Sequence, residues 1–367
     1  MLRIAFILLI ALHGLIHLLG FAKAFGLAEL PQLTQPISCN FGLVWLLAAL
    51  LLLATAAALP FWPWGWWMLS AVALVLSQVA IAASWSDAKA GSLANLVLLV
   101  AVLYGFASQG PWSLRAEHEG HLRLVRTAPA AEPLDERDLA PLPGPVQRYL
   151  RGVGAFGQPR VRNVRLTWTG RIRSGPESPW MPFRIEQVNT FDEPARFFFM
   201  EARMKGLPVD VLHVFDDSGA TMRVRVLSAV PMVDARGPEL TRAETVTFFN
   251  DLCFFAPGAL ISPAIAWEPV DERTVRAAFT LRGQTIRAEL RFNERGELVD
   301  FSSEDRLAAS ADGKNFTRMR WTTPVGDYAQ LGPVRVGTRG EAWWHPASGA
   351  YSYGEFRLTS LAYNVDG

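Results

Sequence analysis

The sequence predicts four membrane-spanning helices followed by an antiparallel β domain whose strongly curved sheet packs one apolar helix in its concave face. Three observations predict this. Charge is segregated: of 69 charged residues only Arg3, Lys23, Glu29, Asp87 and Lys89 fall within residues 1–110. The remaining 257 residues carry the charge density of an ordinary soluble domain. The first part also consists of uncharged runs long enough to cross a bilayer. After residue 160 the apolar period becomes two, that of half-buried strands. Three regions result: transmembrane 1–110, a linker with a short helix over 111–159, and a β domain over 160–367 with a helix at 242–256.

Ile4 to Ala22 is the first span. A cleavable secretory signal with Arg3 as its basic end is the competing reading. It fails because no small-x-small cleavage site follows and further apolar spans do. The uncharged stretch between Glu29 and Asp87 is too long for one helix and holds two, Phe41 to Pro60 and Met68 to Trp85. They break at FWPWGWW (61–67), whose indole rings suit the headgroup level. Leu93 to Ser108 is the fourth. Four spans place both ends on one side, marked by Arg3, Arg115, Arg123 and Arg126, against Lys23 and Lys89 on the other. The bias in basic residues puts the β domain in the cytoplasm.

His13 and His17 lie one turn apart on one face of the first span. Ionisable groups inside a membrane are costly and often functional, which favours a metal, haem or quinone contact. A packing pair hydrogen-bonded to Gln78 or Asn95 on other helices is the simpler reading. It is preferred because zinc needs three or four good ligands. The two histidines are thus weak metal candidates, and no cofactor is expected.

The linker contains EHEGH, which lacks the spacing of a zinc protease because Leu122 stands where the second histidine is needed. It reads as a solvated charge cluster. Gly152, Gly154 and Gly157 spell G-x-G-x-x-G, yet a helix (Pro145 to Arg151) precedes them and a strand follows, the reverse of a dinucleotide site. They read as a helix end and loop. No phosphate loop or G-x-S-x-G elbow occurs.

In the strand VRLTWTGRIR, Val164, Leu166, Trp168 and Ile172 share one face. About ten strands are expected, near 164–173, 182–190, 195–204, 209–215, 221–227, 274–281, 285–292, 297–304, 315–322, 333–344 and 352–363, with hairpin turns at 216–219 and 293–296. Their order reads as a meander. Thr241 to Glu244 reads as a capping box opening the one helix, and Pro257-Gly258 ends it. Phe248, Phe249, Leu252, Phe254 and Phe255 cover so much of its circumference that the helix must be covered in turn. Residues 111–367 are balanced at 32 basic and 32 acidic residues, which argues against nucleic acid as a partner. Cys39 and Cys253 form no motif.

The chain resembles a family of bacterial membrane proteins of unknown function that joins four helices to a β-rich domain. The resemblance is carried by LHGLIHLLGFAKAF, SWSDAKAGSLAN, PVQRYLR, SPWMPF, RAETVTFFNDLCFFAPGAL, GELVDF, the TPV at 323–325 and YGEF. It implies an integral protein of the bacterial inner membrane and supplies no catalytic residues. The order of strands and helix is similar, more loosely, to the half-barrel of the LolA and LppX lipoprotein carriers, which implies a hydrophobic or lipid ligand held against the concave face. Residues expected to line such a pocket are Trp180, Met181, Phe198, Met204, Phe248, Phe249, Leu252 and Phe255. The same residues would equally fill a core. Partners are then membrane lipid and a hydrophobic small molecule, with the oligomeric state left open. Two other readings stand beside this one. The first is a regulatory or scaffold protein without ligand. The second is an enzyme using Glu244 and Asp251, seven residues apart on one helix face, as acid and base.

Overall fold

A computed structural model describes residues 2–126, 132–310 and 312–366. Helices α1 (Leu2–Ala24), α2 (Cys39–Phe61) and α3 (Trp66–Ala83) are followed by a single turn, α4 (Trp85–Ala88), and by α5 (Gly91–Gln109). The four long ones are long and apolar enough to cross a membrane. Their leucine- and alanine-rich sequences favour helix over most of their length. Leu8, Leu12 and Ile16 of α1 face outward, whereas Ala48 and Ala49 of α2 and Ala73 and Ala80 of α3 are fully buried. Small residues at the crossings let apolar helices approach closely. These helices make up one unit, Met1–Ala116; the second is Glu117–Gly367.

Helix α6 (Leu114–Leu122) runs into the second unit, followed by α7 (Glu136–Leu139) and α8 (Gly144–Gly152). Six strands come next: β1 (Asn163–Ile172), β2 (Met181–Thr190), β3 (Ala195–Met204), β4 (Leu207–Asp216), β5 (Gly219–Val226) and β6 (Val230–Arg236). Helix α9 (Pro238–Phe255) separates them from β7 (Ile265–Pro269), β8 (Thr274–Leu281), β9 (Gln284–Phe292) and β10 (Leu298–Ser303). The chain ends with β11 (Leu307–Ala309), β12 (Phe316–Arg318), β13 (Trp321–Thr322), β14 (Val325–Leu331), β15 (Val334–Trp344) and β16 (Tyr351–Tyr363). Fourteen strands form one sheet, in the order β6-β5-β4-β3-β2-β1-β16-β15-β13-β10-β9-β8-β7, with β14 beside β15. Strands β11 and β12 form a separate hairpin.

This order makes α9 the link between the two edge strands, β6 and β7. Laid flat, thirteen strands would hold those edges roughly 58 Å apart at about 4.8 Å per strand. The 18-residue helix spans only about 27 Å, and residues 256–264 cannot extend across the remainder because Pro257–Ala259 is a helical turn. The sheet therefore curls around the helix. The Phe248 ring lies 5.8 Å from Phe215 on β4 and 6.3 Å from Phe279 on β8, positions nine strands apart in the order. At one rim, Arg282 of the β8–β9 turn donates to Asp217 at 2.7 Å and to the Pro194 carbonyl.

Several expectations are corrected here. Among the described residues sixteen strands replace the ten or so expected; β7 and β11 are too brief to show a period of two, β6 is interrupted by Pro231, and β14 buries none of its residues. The expected strand at 315–322 is split between β12 and β13. There is no capping box at Thr241. Helix α9 starts three residues earlier with Pro238 in its first turn, and Thr241 instead donates to the Gly237 carbonyl. EHEGH is not a solvated cluster: it lies on α6, where His118 and His121 stack on Phe199 and Phe197 of β3. Much of the expected linker belongs to the β core, with Leu134, Leu139, Leu142 and Val146 buried. Tyr149 there donates to the Cys253 carbonyl at 3.0 Å. Residues 127–131 of that linker lie outside the described residues.

Candidate functional site

Alternation along β3 places Arg196, Phe198, Met200, Ala202 and Met204 on one face. Arg196 reaches α9, so this face is the inner one. Strand register then assigns Phe183, Ile185, Gln187 and Asn189 of β2, His213 and Phe215 of β4, and Ala220, Met222, Val224 and Val226 of β5 to the same side. The inner face divides sharply into two halves.

The polar half grips α9. Arg196 donates to Asp251 at 2.9 Å through Nε and to Glu244 at 3.1 Å through Nη1. Asp251 also accepts from Gln187 at 2.7 Å and Asn189 at 3.1 Å. All five side chains are buried. The carboxylates considered as acid and base are thus bridged by one guanidinium, an arrangement that neutralises and orients them and seats the helix. Burial works to raise the Glu244 carboxyl, but the charges of Arg196 and Arg306 help to outweigh it and hold it below the ordinary value. His213 Nδ1 sits 3.6 Å from Glu244 Oε1, within ion-pair reach. Desolvation nevertheless prevails and pushes the imidazole down to about 4, so the ring is neutral at pH 7.

That shift has a sign. In the unfolded chain the ring titrates near 6.5. Between there and about 4 the unfolded state binds the extra proton, so stability is full above pH 6.5 and falls as the pH drops. The depressed Glu244 carboxyl acts in the same direction at lower pH. His213→Gln is expected to flatten the part of the acid destabilisation that begins below pH 6.5, read as denaturant midpoints at several pH values. A profile as steep as the parent's would show that other groups cause it.

The apolar half contains Phe183, Ile185, Met200, Ala202, Val209 and Val211, all buried, and Met204, Val224 and Val226, only partly so, with the partly buried Met222 on its border opposite His213. The β11–β12 hairpin meets this half at its β5–β6 edge. Ala308, Phe316 and Met319 pack on the core. Its turn meets β6 at Gly313, where a Cβ would stand 2.6 Å from Val233 and 3.1 Å from Ala235. Only glycine permits that approach, at a φ of +71°. Leu207, Val230 and Met232 are exposed at the adjoining hairpin ends.

The residues expected to line a pocket separate accordingly. Phe248, Phe249, Leu252 and Phe255 are at most 6 % exposed; Phe249 stacks on Phe279 at 4.8 Å. Phe198 packs edge-on against His213, and Arg171 and Arg173 cover Trp180. Met181 and Met204 are partly exposed. Sequence reasoning missed Gln187, Asn189, Arg196 and His213. The available signal was the switch from apolar to polar along Phe183, Ile185, Gln187 and Asn189, which alternation puts on one buried face.

In the helical unit His13 Nε2 lies 3.0 Å from Asn95 Oδ1, and Asn95 donates to Gln78, the two partners named from the sequence.

Residues 132–356 match a family of unknown function, DUF6544. The chain belongs to that family. The DUF6544 region holds β1 to β15, the start of β16, α9 and the hairpin, whereas the four long helices precede it. No curated protein matches the sequence. Among solved structures, a LolA-superfamily protein from Nitrosomonas europaea is similar at 11% identity, over 59% of this chain and 93% of that one, with a TM-score of 0.34. A DUF1329-family protein from Desulfovibrio piger is similar at 10% identity, over 56% and 87%, with a TM-score of 0.34. A domain assigned as an outer membrane lipoprotein-sorting protein from Vibrio parahaemolyticus is similar at 9% identity, over 55% and 85%, with a TM-score of 0.31.

Proposed function

We propose that the protein is a membrane-anchored binding protein whose β domain is a half-barrel that holds a hydrophobic or lipid ligand. The ligand lies along the apolar half of the inner face, beneath the β11–β12 hairpin. One observation carries the reading: Met204, Met222, Val224 and Val226 stay partly exposed on a face whose neighbouring residues are buried, and a hairpin separate from the main sheet meets that face at Met222. Methionine side chains adapt to irregular ligands. The exposed Leu207, Val230 and Met232 provide an apolar threshold beside the strip. Phe248, Phe249, Leu252 and Phe255 are then wall rather than contact surface. The four apolar helices anchor the chain in a bacterial inner membrane, and the lysine and arginine distribution favours a cytoplasmic β domain.

The test is photo-crosslinking of the full chain with a diazirine-bearing fatty acid, mapped by mass spectrometry. Label is expected within 200–232 and 307–319, and Met222→Gln should reduce it several-fold. Label confined to the helical unit, or undiminished in that variant, would favour a scaffold without ligand.

A further inference from the structure

We propose that the helical unit contains a second, independent site, which binds a lipophilic molecule through a single hydroxyl group held between His17 and Trp45. His17 is 1 % exposed and Trp45 3 %. Their ring centroids are 5.0 Å apart. His17 Nδ1 lies 2.9 Å from the His13 carbonyl, which can only accept, so Nδ1 carries the proton and Nε2 is left as an acceptor. Among the described residues Nε2 makes no hydrogen bond. The Trp45 indole N–H is likewise without an acceptor. One buried acceptor and one buried donor thus belong to two rings in contact, and folded proteins rarely leave such groups unpaired.

Both residues line a cavity of about 300 Å³, the lower end of the range for small-ligand pockets. Leu12 and Ile16, half-exposed on the outer face of α1, also line it, which gives a lateral entrance from the apolar side. Leu33, from the loop between α1 and α2, lines it too. That loop is pinned: the Asp87 carboxylate accepts from the Thr34 and Gln35 backbone at 2.6 and 2.9 Å, and Lys23 donates to the Leu33 carbonyl. Gly20 makes room for the indole, since a Cβ there would come within 2.2 Å of the Trp45 ring.

The donor set selects the ligand. A hydroxyl donates to Nε2 and accepts from the indole at once, whereas an ether or ketone only accepts and leaves Nε2 unpaired. An indole N–H does not ligate metal, and among the described residues no cluster of three His, Cys, Asp or Glu side chains occurs. His13 is occupied separately by Ser77 and Asn95, at 3.1 and 3.0 Å.

The experiment measures saturable binding of three probes, 4-nonylphenol, farnesol and a short-tailed hydroquinone, to the full chain in nanodiscs, each against its O-methyl ether. At least one hydroxyl compound should bind about tenfold or more tighter than its ether, a preference that needs no variant. His17→Phe and Trp45→Phe should each abolish that preference, and Met222→Gln in the β domain should leave it intact. Equal binding of alcohol and ether, no saturable binding by any probe, or a preference that survives His17→Phe would overturn the proposal.

Discussion

Phe249→Ala is expected to destabilise the β domain by about 3–5 kcal/mol, the range for truncating a fully buried aromatic ring. The side chain has 0 % exposure. It stacks on Phe279 with an interplanar angle of 8° and meets Phe301 edge-on at 5.8 Å. It thereby ties α9 to β8 and β10, the far wing of the curled sheet. Removing the ring forfeits its transfer free energy and leaves a cavity that the crossing strands cannot collapse into without uncurling. Urea unfolding of the purified chain, followed by tryptophan fluorescence, reads the loss; Trp321 neighbours Phe301 and reports on this wing. Phe156→Ala, at a ring 37 % exposed, is the control and should cost far less. A loss below about 1 kcal/mol at Phe249 would mean that the wing is held by its strand pairing alone.

Arg196→Met is expected to cost a similar amount, about 3–5 kcal/mol, for a different reason. The guanidinium is the hub of the polar half, and its loss leaves Glu244 and Asp251 buried without a cation between them. An unpaired buried charge costs more than the intact pair contributes. The triple variant Arg196→Met, Glu244→Gln, Asp251→Asn should therefore recover much of the loss, because it removes the charges together. Equilibrium unfolding of both proteins decides it. If the triple variant is no more stable than the single one, the cluster acts through packing rather than charge.

Much was legible in the chain alone. The near-absence of charge over residues 1–110 determined four apolar helices, because those runs supply no polar face at any helical phase. The period of two after residue 160 determined an antiparallel sheet. The density of phenylalanine between Phe248 and Phe255 determined that one helix had to be covered, since no single stripe could bury all those rings. Local pattern determines local structure and the need for burial, and it stops there.

Tertiary structure decided which residues meet. Arg196, His213 and Gln187 read as ordinary strand positions until the curl brings them under α9, tens of residues away in sequence. That curl follows from strand order, with β1 beside β16 and the edges joined by one helix, and no window of sequence encodes a pairing 190 residues long. Glu244 changed from a presumed cap to a buried ion-pair partner because the helix begins at Pro238 instead. His13 and His17 share a helix face by spacing alone. Only the packing of α2, α3 and α5 around them satisfies the first and leaves the second beside Trp45 and a cavity, since hydrogen-bond satisfaction depends on what the neighbouring helices present.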